Sequence, residues 1–500
     1  MTDPLRSLIL RHPAKLCLLV GALYPFAFAP LGLFPLALLG LGLLFAFVDD
    51  ASPREAARLA FSFGVGAFAT GTYWLYTSLH TFGGAPLPVA LGLIAALIAW
   101  MAAWPALAAW VAVRWGPRGG LARWLLVLPA SWVLAEIGRG WVLGGFPWLS
   151  LGYSHSDTFL RGLAPVTGVF GVSLAAALTA GGAVALVRGD RRGRMIAGSA
   201  LAVVWLAAAG LDRVAWTTPS GQPLDVAIAQ GSVPQDIKWN PEQLLPTMRL
   251  YSDLTAEHWG KDIVVWPEAA IPTLRSRVDA YFDRLGEVAR ENGTDLLIGF
   301  VDYREDTGQN LNGVMSLGAN NSDYYKRHLV PFGEFFPVPA FIRNWMRLQN
   351  LPYRDYTRGA KVQDPLIAGG VPVAASICYE DVFGEELLWA FPEAALMVNV
   401  SNDAWFGTSI APHQHLQIAR LRAMEAGRYL LRGTNTGISA IIDEKGRVTA
   451  RLPQFESATL SGVAQPFAGS TPYSRTGNWP VLLVALGLLV WGLGLGIRKP

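Results

Sequence analysis

The feature that most constrains this chain is the uneven spread of its apolar residues. The first two hundred or so residues and the last twenty are broken into apolar runs near 13–30, 31–48, 57–78, 87–113, 124–138, 162–187, 195–212 and 479–497. A helix needs about 20 apolar residues to cross a bilayer, so these runs predict eight transmembrane helices. Pro25, Pro30 and Pro35 interrupt the first pair, which makes that division the least sharp. The first run is too continuous with the second to read as a cleaved signal peptide, and it lacks a small-residue cleavage site. From about Val214 to Ser474 the composition is that of a water-soluble domain. Only 15% of the whole chain is charged, against roughly 25% in an ordinary soluble domain. The expected organisation is a membrane domain over 1–213, a soluble domain over 214–474, and a last helix with a short tail over 475–500.

Positive charge gives the expected orientation. Arg6, Arg11 and Lys15 precede the first run, Arg54 and Arg58 follow the second, and Arg114, Arg118 and Arg123 follow the fourth. Arg188, Arg191, Arg192 and Arg194 follow the sixth, and Arg498 and Lys499 close the chain. The alternate loops are nearly free of it. By the positive-inside rule both termini face the cytoplasm and the soluble domain lies outside it. The net charge of +3 therefore reflects topology, and no basic stripe with interleaved aromatics points to nucleic acid. Of the two cysteines, Cys17 lies in the first apolar run and reads as a packing residue. The lysine at position 15 argues against lipid attachment there. Cys378 has no partner in the exported domain, and a free thiol in an oxidising compartment is a liability unless it has a use.

In the soluble part, strand-like segments alternate with helical ones. The strands read as 225–230, 262–266, 295–301, 313–317, 323–328, 371–378, 396–400, 432–442, 447–451 and 459–464, and the helices as 241–259, 276–292, 382–390 and 412–427. At 276–292, Val278, Phe282, Leu285, Val288 and Ala289 share one helical face. The pattern predicts an α/β layered sandwich. Residues 335–361 form a long aromatic loop, which in a compact domain is usually a lid or binding loop. Phe335, Phe336, Phe341, Ile342, Trp345, Met346 and Leu348 are its expected membrane-dipping edge, with ordinary packing the equal alternative.

Candidate chemistry sits at strand ends. The run Val371 to Ile377 feeds into Cys378-Tyr379-Glu380-Asp381, which places a thiol beside charge. Val264-Val265-Trp266-Pro267 ends in Glu268, and Tyr324-Tyr325-Lys326 leads on to Glu334. A thiol nucleophile needs a base and a group to stabilise the oxyanion. Glu268 suits the first role and Lys326 the second. Glu334 is placed to orient the lysine, and Glu380 to bias the local charge. His413 and His415, in Pro412-His413-Gln414-His415, offer a histidine base or a metal pair, but structural roles are favoured because no third ligand lies at ligand spacing. Taken singly, each residue also has a plain reading: a solvated turn glutamate, an edge lysine, an inert buried cysteine.

The local sequences of these segments shift that balance. Trp266-Pro267-Glu268, the Lys326 segment and Cys378-Tyr379-Glu380 resemble the Glu-Lys-Cys motifs of the nitrilase superfamily. Together with the apolar frame, the chain resembles the apolipoprotein N-acyltransferase family of bacteria over nearly its whole length. Gln230-Gly231-Ser232-Val233-Pro234-Gln235, Lys238-Trp239, Leu329 to Glu334, Ser401 to Gly407 and Pro412 to His415 carry the likeness in the soluble part. Glu136, Arg139-Gly140-Trp141 and Gly145-Phe146-Pro147-Trp148 carry it in the membrane part.

The resemblance implies an αββα nitrilase-like domain on an eight-helix membrane domain, and a cofactor-free ping-pong acyl transfer. Cys378 would take the sn-1 acyl chain of a phospholipid, typically phosphatidylethanolamine, as a thioester. The α-amine of a diacylglyceryl-cysteine at the start of an apolipoprotein would then receive it. Glu268 would be the base and Lys326 the oxyanion partner, with Trp239, Glu334, Tyr379 and Glu380 supporting. Glu136, Arg139, Phe146 and Trp148 are candidate lipid or membrane-domain contacts. The implied setting is the bacterial inner membrane, with catalysis on the periplasmic side by a monomer. The rival enzyme is a membrane-tethered amidase using the same three residues. A transporter is disfavoured by the scarcity of ionisable residues in the apolar runs and the absence of paired broken helices, and an inactive scaffold by the intact triad.

Overall fold

The computed structural model describes residues 12–335 and 355–497. It divides into two compact units, residues 1–214 with 476–500, and residues 215–475.

The first unit is helical. A helix lies in each of the apolar runs: Pro13–Leu23, Pro35–Asp49, Pro53–Gly71, Leu87–Trp115, Leu128–Arg139, Ala164–Arg188, Arg191–Leu211 and Trp479–Ile497. By length and composition, Leu87–Trp115, Phe159–Arg188 and Arg191–Leu211 are able to cross a membrane, and Pro13–Ala27, Pro35–Asp49 and Trp479–Leu495 are shorter apolar helices. Glycine sets the close packing of the first and third helices. A Cβ on Gly21 would lie 2.0 Å from the Phe63 carbonyl oxygen, and one on Gly66 would lie 2.1 Å from that of Leu18. Such close backbone contact is how apolar helices associate without a hydrophobic drive.

Between Gly140 and Leu163 the chain leaves the α-helix for three short 3-10 turns, yet Trp148 to Ser156 are buried. Irregular backbone in such a place needs internal partners. Arg139 supplies them, donating to the carbonyls of Phe146 and Trp148 and to Ser150 Oγ. Glu136 Oε1 accepts from the Leu151 N–H at 2.8 Å and from Trp132 Nε1 at 3.0 Å, and Ser173 Oγ accepts from the Gly152 N–H. Phe146 stacks on Trp148. Glu136 and Arg139 are thus buried and engaged with the protein's own backbone.

The second unit is a sandwich of two six-stranded sheets. Its strands are β1 (Thr217–Pro219), β2 (Leu224–Gln230), β3 (Ile263–Trp266), β4 (Asp295–Arg304), β5 (Gln309–Leu317), β6 (Ser322–Tyr325), β7 (Leu366–Ala368), β8 (Val371–Ile377), β9 (Leu396–Ser401), β10 (Leu430–Thr434), β11 (Ala440–Ile442), β12 (Val448–Arg451), β13 (Ala458–Ala464) and β14 (Phe467–Gly469). The sheet orders are β13-β2-β3-β4-β5-β6 and β12-β11-β10-β9-β8-β7, with β1 and β14 paired apart. In each sheet three strands run parallel, β2-β3-β4 and β8-β9-β10.

Alternate residues on a strand face opposite sides. Val226, Ile228, Val265 and Leu297 therefore meet Val373, Ile377, Val398 and Val400 between the sheets. Ala227, Val264 and Trp266 face outward onto Phe282 and Leu285. Met397 and Leu430 face Leu416, Ala419 and Ala423 of the helix Ala411–Ala426. Cover on both faces explains why these strands read as unbroken apolar runs, and the α/β layered sandwich is the observed architecture.

Three expectations change. The strand expected at 432–442 is a reversal, β10 pairing antiparallel with β11 so that Leu430 faces Ile442, and residues 435–439 make the turn. The helix expected at 382–390 is a 3-10 turn, Gly384–Ala390. The strand expected to reach His328 stops at Tyr325, because the next N–H groups, of Arg327 and His328, turn to the Glu380 carboxylate.

Candidate active site

Strand β3 ends at Trp266, and Glu268 follows two residues on. The turn is tight: Ala269 has φ +45°, and a Cβ on Gly299 of β4 would lie 2.4 Å from the Pro267 carbonyl oxygen and 2.6 Å from Glu268 Cα. Only glycine at 299 admits the turn. The carboxylate is held at both oxygens, by Asn312 Nδ2 at 2.7 Å and by the Asn402 N–H at 2.9 Å. Below it, the buried Lys238 donates to the Glu268 carbonyl at 3.2 Å.

Lys326 follows β6, and its N–H donates to the Asn312 carbonyl. Its side chain is buried between two carboxylates at unequal distances, Glu334 at 2.7 Å and Glu268 at 3.7 Å. Glu334 is fixed in turn by the Val330 N–H at 2.7 Å. Burial lowers the pKa of Lys326, but Glu334, Glu268 and Cys378 outweigh it and lift the pKa, so the ammonium is favoured.

Cys378 stands where β8 gives way to a 3-10 turn, at φ +51°. Ser232 and Phe332, on two other turns of this unit, share that left-handed backbone. Burial pushes the thiol's pKa well up, Glu268 and Asp403 add to this, and Lys326 and a hydrogen bond with Ser401 oppose it. Burial and Glu268 thus favour the thiol form of Cys378, and the Lys326 ammonium favours the thiolate. Glu380 is buried and serves as an anchor: it accepts from the N–H groups of Ile377, Arg327 and His328 and from Tyr324 Oη. One carboxylate thereby ties the cysteine turn to the lysine segment. Burial raises the pKa of Glu380 against those donors.

The other expected residues fall around this centre. Tyr379 packs edge-on against Phe383. Trp239 is largely exposed, whereas its neighbour Lys238 is buried, with a pKa lowered by burial to about 8 although Glu268 raises it. His413 meets Gln454 Nε2 at 3.1 Å. His415 lies between Asp381 and Asp403. Of the aromatic loop, Phe335 is half-buried with the Arg358 guanidinium over its ring, and Phe336, Phe341, Ile342, Trp345, Met346 and Leu348 lie outside the described residues. Sequence gives Asn312 no role, and it marks Ser401 and Asn402 only as part of the Ser401–Gly407 segment that carries the family likeness.

The chain is similar to known proteins over both units. Residues 20–182 match the family model of the apolipoprotein N-acyltransferase N-terminal domain, and residues 225–471 match that of carbon-nitrogen hydrolases. An apolipoprotein N-acyltransferase of Methylococcus capsulatus is 46% identical over 95% of this chain and 94% of its own length. That of Pseudomonas syringae pv. tomato is 41% identical over 96% of each. Among solved structures, Saccharomyces cerevisiae Nit3, a member of branch 10 of the nitrilase superfamily, has a TM-score of 0.38 at 18% identity, covering 50% of this chain and 93% of that one.

Proposed function

Because this chain belongs to the apolipoprotein N-acyltransferase family, we propose that its Glu268, Lys326 and Cys378 carry out an acyl transfer from phospholipid to lipoprotein in two half-reactions. The protein is an acyltransferase of lipoprotein biosynthesis and a bacterial membrane enzyme with a carbon-nitrogen hydrolase domain. The observation that carries the mechanism is the unequal pairing of Lys326, bound tightly by Glu334 and loosely by Glu268. Glu334 keeps the cation charged and aimed. Glu268 keeps a carboxylate free to accept a proton.

In the first half-reaction the Cys378 sulfur attacks the sn-1 ester carbonyl while its proton passes to Glu268. The oxyanion gathers charge beside the Lys326 ammonium, in a buried site where such a pairing counts most. Collapse breaks the carbon–oxygen bond, and Glu268 returns the proton to the departing lysophospholipid. In the second, the α-amine of the diacylglyceryl-cysteine attacks the thioester, Glu268 takes the amine's proton, the carbon–sulfur bond breaks, and the thiolate is reprotonated. A thiol with a raised pKa suits this course, because it ionises only as it attacks.

The donor headgroup is phosphatidylethanolamine and one monomer suffices, since both half-reactions use the same site. On this reading eight helices span the inner membrane, both termini lie in the cytoplasm and the catalytic unit lies on the periplasmic side; the arginine-rich alternate loops support it. Glu380 is a supporting anchor. Trp239 and Tyr379 keep the supporting roles that the resemblance implies.

Intact-mass spectrometry after incubation with phosphatidylethanolamine tests the scheme. Wild type gains a fatty-acyl mass that hydroxylamine removes, Cys378→Ala does not, and a diacylated lipopeptide discharges it. An adduct discharged only by water would instead make the protein a hydrolase.

A further inference from the structure

We propose that Asp381, His415, Asp403 and Arg432 form a closed ionic ring that positions Cys378 for acylation, with Ser401 as the link between ring and sulfur; this rests on the reading of Cys378 as the nucleophile. All four side chains are buried. His415 reaches Asp381 through Nε2 at 2.8 Å and Asp403 through Nδ1 at 2.9 Å. Arg432 donates to the other oxygens of the same two aspartates, at 3.0 and 3.1 Å. Two anions and two cations close the ring with no net charge when the imidazole is protonated, and only an imidazolium donates from both nitrogens.

Each member comes from an element at the thiol. Asp381 belongs to the 3-10 turn that begins at Cys378, so clamping its carboxylate holds that turn. Asp403 follows β9, Arg432 lies on β10, and His415 lies on the helix Ala411–Ala426. A Cβ on Gly437 would fall 2.5 Å from Asp403 Oδ2, so glycine there lets the chain close over the ring.

The link to sulfur follows from strand register. Ile377 of β8 pairs with Val400 of β9 as the last pair of that ladder, and Cys378 and Ser401 each follow directly on that pair. Ser401 Oγ donates to Asp403 Oδ1 at 2.8 Å, and the same hydroxyl opposes the rise of the Cys378 thiol's pKa. A hydroxyl has one proton to give. While the thiol is protonated, S–H donates to Ser401 and Ser401 donates to Asp403. When the sulfur yields its proton to Glu268, the Ser401 hydroxyl turns to the thiolate. Asp403 is not stranded by that turn, because His415 and Arg432 still hold it. The ring is thus a reserve of donors that frees one hydroxyl for the nucleophile.

The groups facing His415 are Asp381 from the cysteine turn, Asp403 from beyond β9, and Arg432 from β10, with the Phe406 ring edge-on. Burial and Arg432 lower its pKa, and the two aspartates outweigh them, raising it to about 9. Lys238, beside Glu268, titrates separately at about 8.

Single-turnover acylation of the full-length enzyme by phosphatidylethanolamine, followed by intact mass between about pH 6 and pH 10, tests this on wild type, Ser401→Ala and His415→Gln. Both variants are expected to slow adduct formation by about tenfold to a hundredfold with the half-saturating lipid concentration unchanged. Wild type should lose rate near pH 9, and His415→Gln should lack that limb. Wild-type rates in Ser401→Ala, or the same high-pH limb in folded His415→Gln, overturn the ring's role. Should His415→Gln not fold, Ser401→Ala, which loses a single hydroxyl, decides with the wild-type profile. No adduct on wild type at any pH would remove the nucleophile reading itself, and this inference with it.

Discussion

The catalytic unit contains two buried ionic clusters built to opposite ends. Around Lys326 one ammonium faces two carboxylates at unequal distances, 2.7 and 3.7 Å. Around His415 two cations face two carboxylates at 2.8–3.1 Å. The first cluster is unbalanced and reactive; the second is balanced. The difference teaches that buried charge serves chemistry only where its pairing is left incomplete. Elsewhere, the cost of taking ions out of water has to be met in full by partners.

The largest effect expected on that contrast is at the unbalanced cluster. Glu268→Gln should lower kcat by about 10²–10⁴-fold, or roughly 3–5 kcal/mol of barrier, with little change in thermal stability. A loss under about tenfold would make Glu268 a spectator. The balanced cluster should respond the other way round. Arg432→Met leaves Asp381 and Asp403 short of a cation and should destabilise the domain by about 3–5 kcal/mol, read by thermal unfolding in detergent.

Titration of His415 sharpens the same point. Its folded pKa of about 9 lies above its ordinary 6.5. The ring's contribution is therefore complete below about pH 6.5 and disappears as pH climbs through about 9, on the order of 3 kcal/mol. Asp403 is held below the usual carboxylate range by His415 and Arg432, against burial, so its own pairing persists as pH falls through that range. Unfolding midpoints that are flat from neutral pH to about 10 would contradict this. The smallest expected effect lies in the helical unit, where Glu136→Gln should cost about 1–3 kcal/mol. The amide still accepts from the Leu151 N–H but loses the charge beside Arg139.

The reactive residues were legible because they break a pattern. Cys378, Glu268 and the acids after Cys378 each end or follow an apolar strand, and an abrupt polar group at a parallel strand's end stands out. Their anchors were illegible because they are set by pairing across the sheets. Asn312 meets Glu268 and Lys326 through the pairing of β5 with β4 and β6, and the Asn402 N–H reaches Glu268 from the other sheet. Trp239 is marked by the family likeness, yet the structure buries Lys238 beside it. His413 and His415 looked alike in sequence, but one side of the helix meets Gln454 and the other meets two aspartates. The strand expected at 432–442 fails because Thr434-Asn435-Thr436-Gly437 inside it is turn chemistry, where the chain reverses. The three-residue strands β1, β7 and β14 are too short to show any period.

The left-handed backbone at Ser232, Ala269, Phe332 and Cys378 has a thermodynamic consequence. A non-glycine residue held there costs of order 1–3 kcal/mol, and the surrounding hydrogen bonds and strand register must hold it in place. That cost is met when the domain folds, long before any lipid arrives. A thiol, a base and a cation locked in this way need little reorganisation at the moment of attack, so part of the barrier to acyl transfer has been moved out of turnover and into the stability of the fold.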